Sequence, residues 1–249
     1  MNRFLCMVAG TLAVFIAGCS GSSSSSSSVA RIRAYDGATQ ATGAATIYIN
    51  SGSANGDQNY EGVSQYLYVN SGTSTFAWAV NTLTGGLVTS FPVVLNSGSV
   101  YSAILLGNAD DQFGSASPIL DVTVDDQTAP PSGDANIRII HDAPDAGPIN
   151  VYINGNEEQA NYAYPGTTIT GLTAAQQEAG TPFSLQNFPY TGVAGGSVTI
   201  KIVDAGTSAT IAGPTTFTVT AGSRYTFFVL EPTVNPAPTY TLQQITDAL

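Results

Sequence analysis

Ala30-Arg31-Ile32-Arg33-Ala34-Tyr35-Asp36-Gly37-Ala38 and Ala135-Asn136-Ile137-Arg138-Ile139-Ile140-His141-Asp142-Ala143 decide the fold, because they open two copies of one unit. After each opening comes an apolar strand ending in Asn: Thr46-Ile47-Tyr48-Ile49-Asn50 in the first half and Asn150-Val151-Tyr152-Ile153-Asn154 in the second. Near the end of each half, Leu95-Asn96-Ser97-Gly98-Ser99-Val100-Tyr101-Ser102 answers Val219-Thr220-Ala221-Gly222-Ser223-Arg224-Tyr225-Thr226. Three matches in one order mark a tandem duplication. Between the halves, the polar Pro/Gly segment at Asp125–Gly133 reads as a linker.

Within each half the pattern is that of short strands. Phe76, Trp78 and Val80 alternate with Ala77 and Ala79; Val198, Ile200 and Ile202 share a face that Lys201 leaves. The first half predicts strands near 31–35, 45–50, 64–70, 74–81, 87–95, 100–106 and 118–124. The second predicts 136–141, 149–154, 183–187, 197–203, 214–220, 223–230 and 238–245, with one helix-like stretch from Thr173 to Ala179. The chain therefore reads as all-β, two tandem immunoglobulin-like β-sandwich domains spanning 30–126 and 135–249, with a linker at 127–134. Each Gly-Ser-x-Tyr segment predicts a tight turn and a core tyrosine whose hydroxyl meets the backbone.

The first residues read as a targeting signal. Arg3 precedes an apolar run from Phe4 to Ala17, too short for a stable membrane span. Ile16-Ala17-Gly18-Cys19 resembles a bacterial lipobox. That resemblance implies a signal peptide at 1–18, diacylglycerol on the Cys19 thiol, and a lipidated, Ser-rich tether at 19–29. The tether composition cannot bury a core, and a flexible segment is the expectation. Ser20 resembles the residue that follows the lipidated Cys in lipoproteins of the Gram-negative outer membrane, so the expected location is the cell envelope, membrane-anchored through lipid. With Cys6 lost in the signal and Cys19 acylated, the mature chain has no thiol for a disulfide, a metal or a nucleophile.

The mature part carries five basic side chains, Arg31, Arg33, Arg138, Lys201 and Arg224, against seventeen acidic ones, a formal charge of −12. Nothing here neutralises a run of phosphates, which excludes nucleic acid as a partner.

The segment Arg138-Ile139-Ile140-His141-Asp142-Ala143-Pro144-Asp145-Ala146-Gly147-Pro148-Ile149-Asn150-Val151-Tyr152, with Ala221-Gly222-Ser223-Arg224-Tyr225-Thr226, resembles the bacterial envelope family "domain of unknown function 4397". The resemblance covers most of 135–231 and, more faintly, 30–107, where Asp36-Gly37-Ala38 replaces the His and Pro-Asp of the turn. It implies tandem β-sandwiches in exported proteins and brings no catalytic residue.

Four groups of residues are candidates for chemistry. His141, with Asp142 and Asp145, is placed for a turn-bracing role at Pro144; a single His without Cys makes a poor transition-metal site. Asp110, Asp111, Asp125 and Asp126 flank the junction and are weak calcium candidates; no EF-hand pattern is present. Tyr60, Tyr162 and Tyr164, beside Asn and Gln, suit sugar stacking or protein contact. Among the glutamates no spacing singles out a hydrolytic pair. The expectation is a non-enzymatic, lipid-anchored protein that binds a polysaccharide or an envelope protein, needing no cofactor unless calcium. An envelope hydrolase using carboxylates of one domain, or a structural spacer in a surface assembly, are the alternatives.

Overall fold

A computed structural model of the chain describes residues 28–38, 45–54, 61–80, 87–107, 119–165, 189–231 and 240–247. The first repeat runs through β1 (Val29–Asp36), β2 (Ala45–Ile49), β3 (Gly52–Ser53), β4 (Gly62–Val63), β5 (Leu67–Asn70), β6 (Gly72–Val80), β7 (Leu87–Leu95), β8 (Val100–Leu106) and β9 (Ile119–Val124). The second runs through β10 (Asp134–Asp142), a 3₁₀ turn at Pro144–Ala146, β11 (Ile149–Ile153), β12 (Asn156–Tyr162), β13 (Thr191–Ala194), β14 (Gly196–Asp204), β15 (Thr210–Val219), β16 (Arg224–Leu230) and β17 (Thr241–Asp247). The strand predicted at 183–187 and the helix-like stretch at 173–179 lie outside the described residues.

Each repeat is a sandwich of two sheets, as the alternation predicts. In the first, an inner sheet ordered β4-β1-β8-β9, with β5 also on β1, covers an outer sheet ordered β3-β2-β6-β7. In the second, the inner sheet is β13-β10-β16-β17 and the outer sheet β12-β11-β14-β15. Both inner sheets hold one parallel pair, β1 with β8 and β10 with β16, while the other pairings are antiparallel. Ile32 lies opposite Tyr101 and Ile137 opposite Tyr225, so the register is the same in both copies.

The repeated Gly-Ser-x-Tyr segment does what its sequence predicts. Gly98 and Gly222 turn the chain at φ of 76° and 80°, a region that favours glycine. The tyrosine that follows is buried, and its hydroxyl accepts a backbone N–H: Asn96 to Tyr101 at 2.8 Å, Thr220 to Tyr225 at 3.0 Å. The outer sheets meet these cores with Ile47, Phe76 and Trp78 in one repeat and Val151, Val198, Ile200 and Ile202 in the other.

The inner sheets are buried on both faces. Every residue of β8 and of β16 is buried, which a sheet with one wet face does not allow. One face packs into its own sandwich. The other meets the opposite repeat in a third apolar cluster of Tyr35, Ile104, Leu106, Ile119, Ile140, Tyr164, Phe228 and Leu230. Tyr35 stacks on Phe228 with centroids 3.8 Å apart, and its hydroxyl donates to Gln243 Oε1 at 2.7 Å. The two sandwiches thus share a core rather than hang as beads on a linker. Phe228→Ala is expected to cost about 3–5 kcal/mol through the cavity it opens between the repeats. Both repeats should then lose stability together, read as a lowered midpoint in urea unfolding monitored through Trp78.

Candidate functional site

The most concentrated chemistry in the described residues lies in the junction between the inner sheets. Arg33 of β1 and Arg138 of β10 hold equivalent positions. Each crosses to the other repeat: Arg33 pairs with Asp247, and Arg138 with Asp125 Oδ1 at 2.7 Å. Each arginine also donates through Nε to a hydroxyl of its own sheet, Ser102 at 3.0 Å and Thr226 at 2.7 Å. Those hydroxyls donate in turn to Asp125 and Asp247, at 2.8 Å in the shorter contact of each. Tyr66 and Tyr190, at equivalent places beside the two arginines, lie 5.5 and 4.9 Å from the guanidinium carbons. Tyr190 also donates to Asp247 at 2.7 Å.

All four charges are 5% exposed or less, so each depends on its partner. Burial alone would lower both arginine pKa values; the facing aspartates outweigh it and raise them. Burial would likewise raise Asp247, but Arg33, Arg138 and the Tyr190 hydroxyl hold it below the ordinary carboxylate range. Asp125, expected as a weak calcium ligand, is instead one arm of this ion-pair network. Asp126 is exposed and accepts Thr128 N–H at 2.8 Å; Asp110 and Asp111 lie outside the described residues. Among the described residues no group of three or more His, Cys, Asp or Glu is arranged to hold a metal.

His141 braces its turn, through the ring rather than a metal. Its Nε2 lies 2.8 Å from the Gly147 carbonyl, and Nδ1 takes Ala143 N–H at 3.3 Å. Burial lowers its pKa to about 4, only partly offset by Gly147. Tyr162 and Tyr164 stand edge-on to the imidazole at 5.7 and 6.2 Å. They were expected to contact a ligand, and their burial corrects that. Tyr164 is 1% exposed inside the shared core, while half-buried Tyr162 donates to the Ile139 carbonyl at 3.4 Å. Desolvation raises both hydroxyls above the ordinary tyrosine range. Tyr60 lies outside the described residues.

Asp142 leaves the turn and enters the other repeat. Its Oδ1 accepts Gly107 N–H at 2.8 Å, and its Oδ2 fills the space that a Cβ on Gly37 would need. Burial, with Glu231 and Asp36 nearby, holds its pKa well above the ordinary value. Glu231 accepts the Asp145 N–H; burial, aided by the Asp145 charge, raises its pKa to about 7. Asp145 itself is exposed.

Both repeats match one family, described as a domain of unknown function, DUF4397, over residues 30–152 and 135–248; the chain belongs to it. No curated protein matches the chain. Among solved structures, a carbohydrate-binding module described under alpha-glucan recognition by family 41 modules of streptococcal virulence factors aligns at 10% identity. That alignment covers 85% of this chain and 96% of that one at a TM-score of 0.23, too low to carry an argument about fold or ligand.

Arg138→Ala leaves Asp125 buried and unpaired, at an expected cost of about 3–5 kcal/mol in urea unfolding, whereas Arg138→Met with Asp125→Leu should cost far less. Glu231 holds its proton to higher pH when folded than when unfolded. Its contribution is therefore complete below its ordinary 4.5 and is lost as pH rises through about 7. His141 has the opposite sign: its contribution is lost as pH falls from its ordinary 6.5 through about 4. Melting temperatures across that range should flatten on the neutral side in Glu231→Gln and on the acid side in His141→Asn.

Proposed function

We propose that the chain is a non-enzymatic cell-envelope protein, anchored by lipid at Cys19, that presents the outward faces of its two outer sheets to a polysaccharide. What supports the reading is where reactive groups lie. Arg33, Arg138 and Asp142 are sealed in the junction, His141 is buried within the second repeat, and all four act on the fold. The outward faces keep one aromatic at one repeated position, Tyr48 on β2 and Tyr152 on β11. Tyr48 sits beside Ala77 and Ser53. Tyr152 lies 4.4 Å from Lys201 Nζ and donates to Glu157 at 2.6 Å. Hydroxyls flank both: Thr75 next to Tyr48's partner, and Thr199 with Thr216 3.2 Å apart next to Tyr152's. A tyrosine among hydroxyls, with Lys201 and Glu157 beside it in the second repeat, suits the face and the hydroxyls of an uncharged sugar ring.

A glycan array with the folded chain tests this. Tyr48→Ala and Tyr152→Ala should each weaken binding roughly three- to tenfold without moving the melting temperature. Loss of binding by neither variant removes the sugar reading. The interlocked junction favours a second role, a stiff spacer in a surface assembly. Its mark would be a phenotype that follows tether length and no saturable glycan binding.

A further inference from the structure

All four large apolar side chains that stand exposed among the described residues, Leu67 at 37%, Tyr68 at 74%, Val94 at 66% and Val124 at 53%, belong to the first repeat. They gather near one end of it. Residue 28, where the tether joins the body, is held at that end by Ser71 N–H to the Ser28 carbonyl at 2.7 Å. Gly98 N–H to the Val29 carbonyl, at 2.8 Å, fixes the next residue. Tyr68 lies opposite Arg31 and Leu67 opposite Ile32, two and three residues along β1 from Val29. Val94 is one residue from the end of β7, and Val124 is the last residue of β9. Measured along the strand axis at about 3.3 Å per residue, all four lie within roughly 10 Å of the level at which the tether enters; across the sheets they spread from β5 on one flank of β1 to β9 beyond the other, and to β7 of the outer sheet.

The second repeat supplies a built-in comparison. Its shared register puts Thr191 where the first has Leu67, Gly192 for Tyr68, Thr218 for Val94 and Thr246 for Val124. A sandwich of this kind therefore needs none of the four for its core. Only the repeat that carries the tether has them.

Charge is distributed to match. Arg31, half-buried and 5.8 Å from the Tyr66 ring, stands on this patch. The buried acids Asp36, Asp142 and Glu231 lie toward the other end of the inner sheets, at the close of β1, β10 and β16. At the tether end, Asp126 has Arg224 nearby, and Asp134 is half-buried.

We infer that the tether end of the first repeat docks on the lipid surface. Leu67, Tyr68, Val94 and Val124 would enter the interfacial region, with Arg31 among the phosphates. The inference rests on the reading of Cys19 as the lipid anchor. A Ser-rich chain of nine residues, 19–27, would have a root-mean-square span on the order of 15 Å, short enough to hold this end near the membrane.

Depth-dependent quenching tests it on the full mature chain in vesicles of phosphatidylethanolamine and phosphatidylglycerol, with brominated lipid as quencher. Tyr68→Trp should lose a large part of its fluorescence, and Thr216→Trp, on the outward face of the second repeat, should keep its own. Buried Trp78 supplies a constant background. Adding Leu67→Thr, Val94→Thr and Val124→Thr to Tyr68→Trp should release the probe. Equal quenching at 68 and 216 overturns the inference. So does a probe at 68 shielded from both brominated lipid and aqueous iodide, which would mean a protein occupant. Mass spectrometry of Cys19 separates the two claims. If cells leave Cys19 without lipid, the anchor reading fails, and the same chain coupled through that thiol to a maleimide lipid still reads docking.

Discussion

Two buried arginines exchange partners across the middle of this molecule, and the rest of the structure is arranged around satisfying them. A guanidinium sealed from water costs several kcal/mol unless a carboxylate and further acceptors meet it. Here the carboxylate always comes from the other repeat. Asp125 follows β9 of the first and serves Arg138 of the second; Asp247 ends β17 of the second and serves Arg33 of the first. Ser102 and Thr226 bridge donor and acceptor on each side. Neither sandwich completes its own charge balance, so the inner sheets are committed to one another in one register. Apolar contact among Tyr35, Ile104, Ile140 and Phe228 supplies adhesion; the crossed pairs supply the address.

Duplication is what makes such an arrangement reachable. The opening strand of each copy supplies a donor and the close of its last strand an acceptor, so an approximate two-fold relation satisfies four charges at once. The copies have since diverged where they meet off that relation. Gly37 and Asp142 are equivalent positions, and the carboxylate of one lies in the space the other leaves vacant. A pairing of two second repeats would set Asp142 against another carboxylate, so the contact favours unlike copies over like ones.

Much of this could be read in the sequence, and the remainder had a physical reason to stay hidden. Strand alternation gave the sandwiches, and the Gly-Ser-x-Tyr turns named core tyrosines that do accept backbone N–H groups. What failed was the assumption that charge and hydroxyl mark a wet surface. Arg33 and Arg138 were visible as a repeated pair, yet Asp125 read as linker and calcium candidate, and Asp247 fell beyond the last predicted strand. A usable signal was present: Arg in the opening strand, Ser or Thr facing it in the strand after the Gly-Ser turn, and Asp at the close of the last strand, in the same order in both copies. Tyr162 and Tyr164 misled for a related cause, since Asn and Tyr together look like a wet loop when the opposite repeat is not in view. The outward tyrosines, Tyr48 and Tyr152, drew no attention because alternation within a strand says only that one face is wet.

The placement of β1 has a mechanical side. A pull transmitted through residue 28 enters the body along the axis of that strand. β1 is no edge: β8 lies parallel on one flank over six residue pairs, and β5 and β4 lie antiparallel on the other. Drawing it out therefore shears many hydrogen bonds together instead of unzipping them singly. Arg33, on the same strand, adds a bolt into the second repeat. A chain held at one end against flow would bear tension first in its most deeply fastened strand.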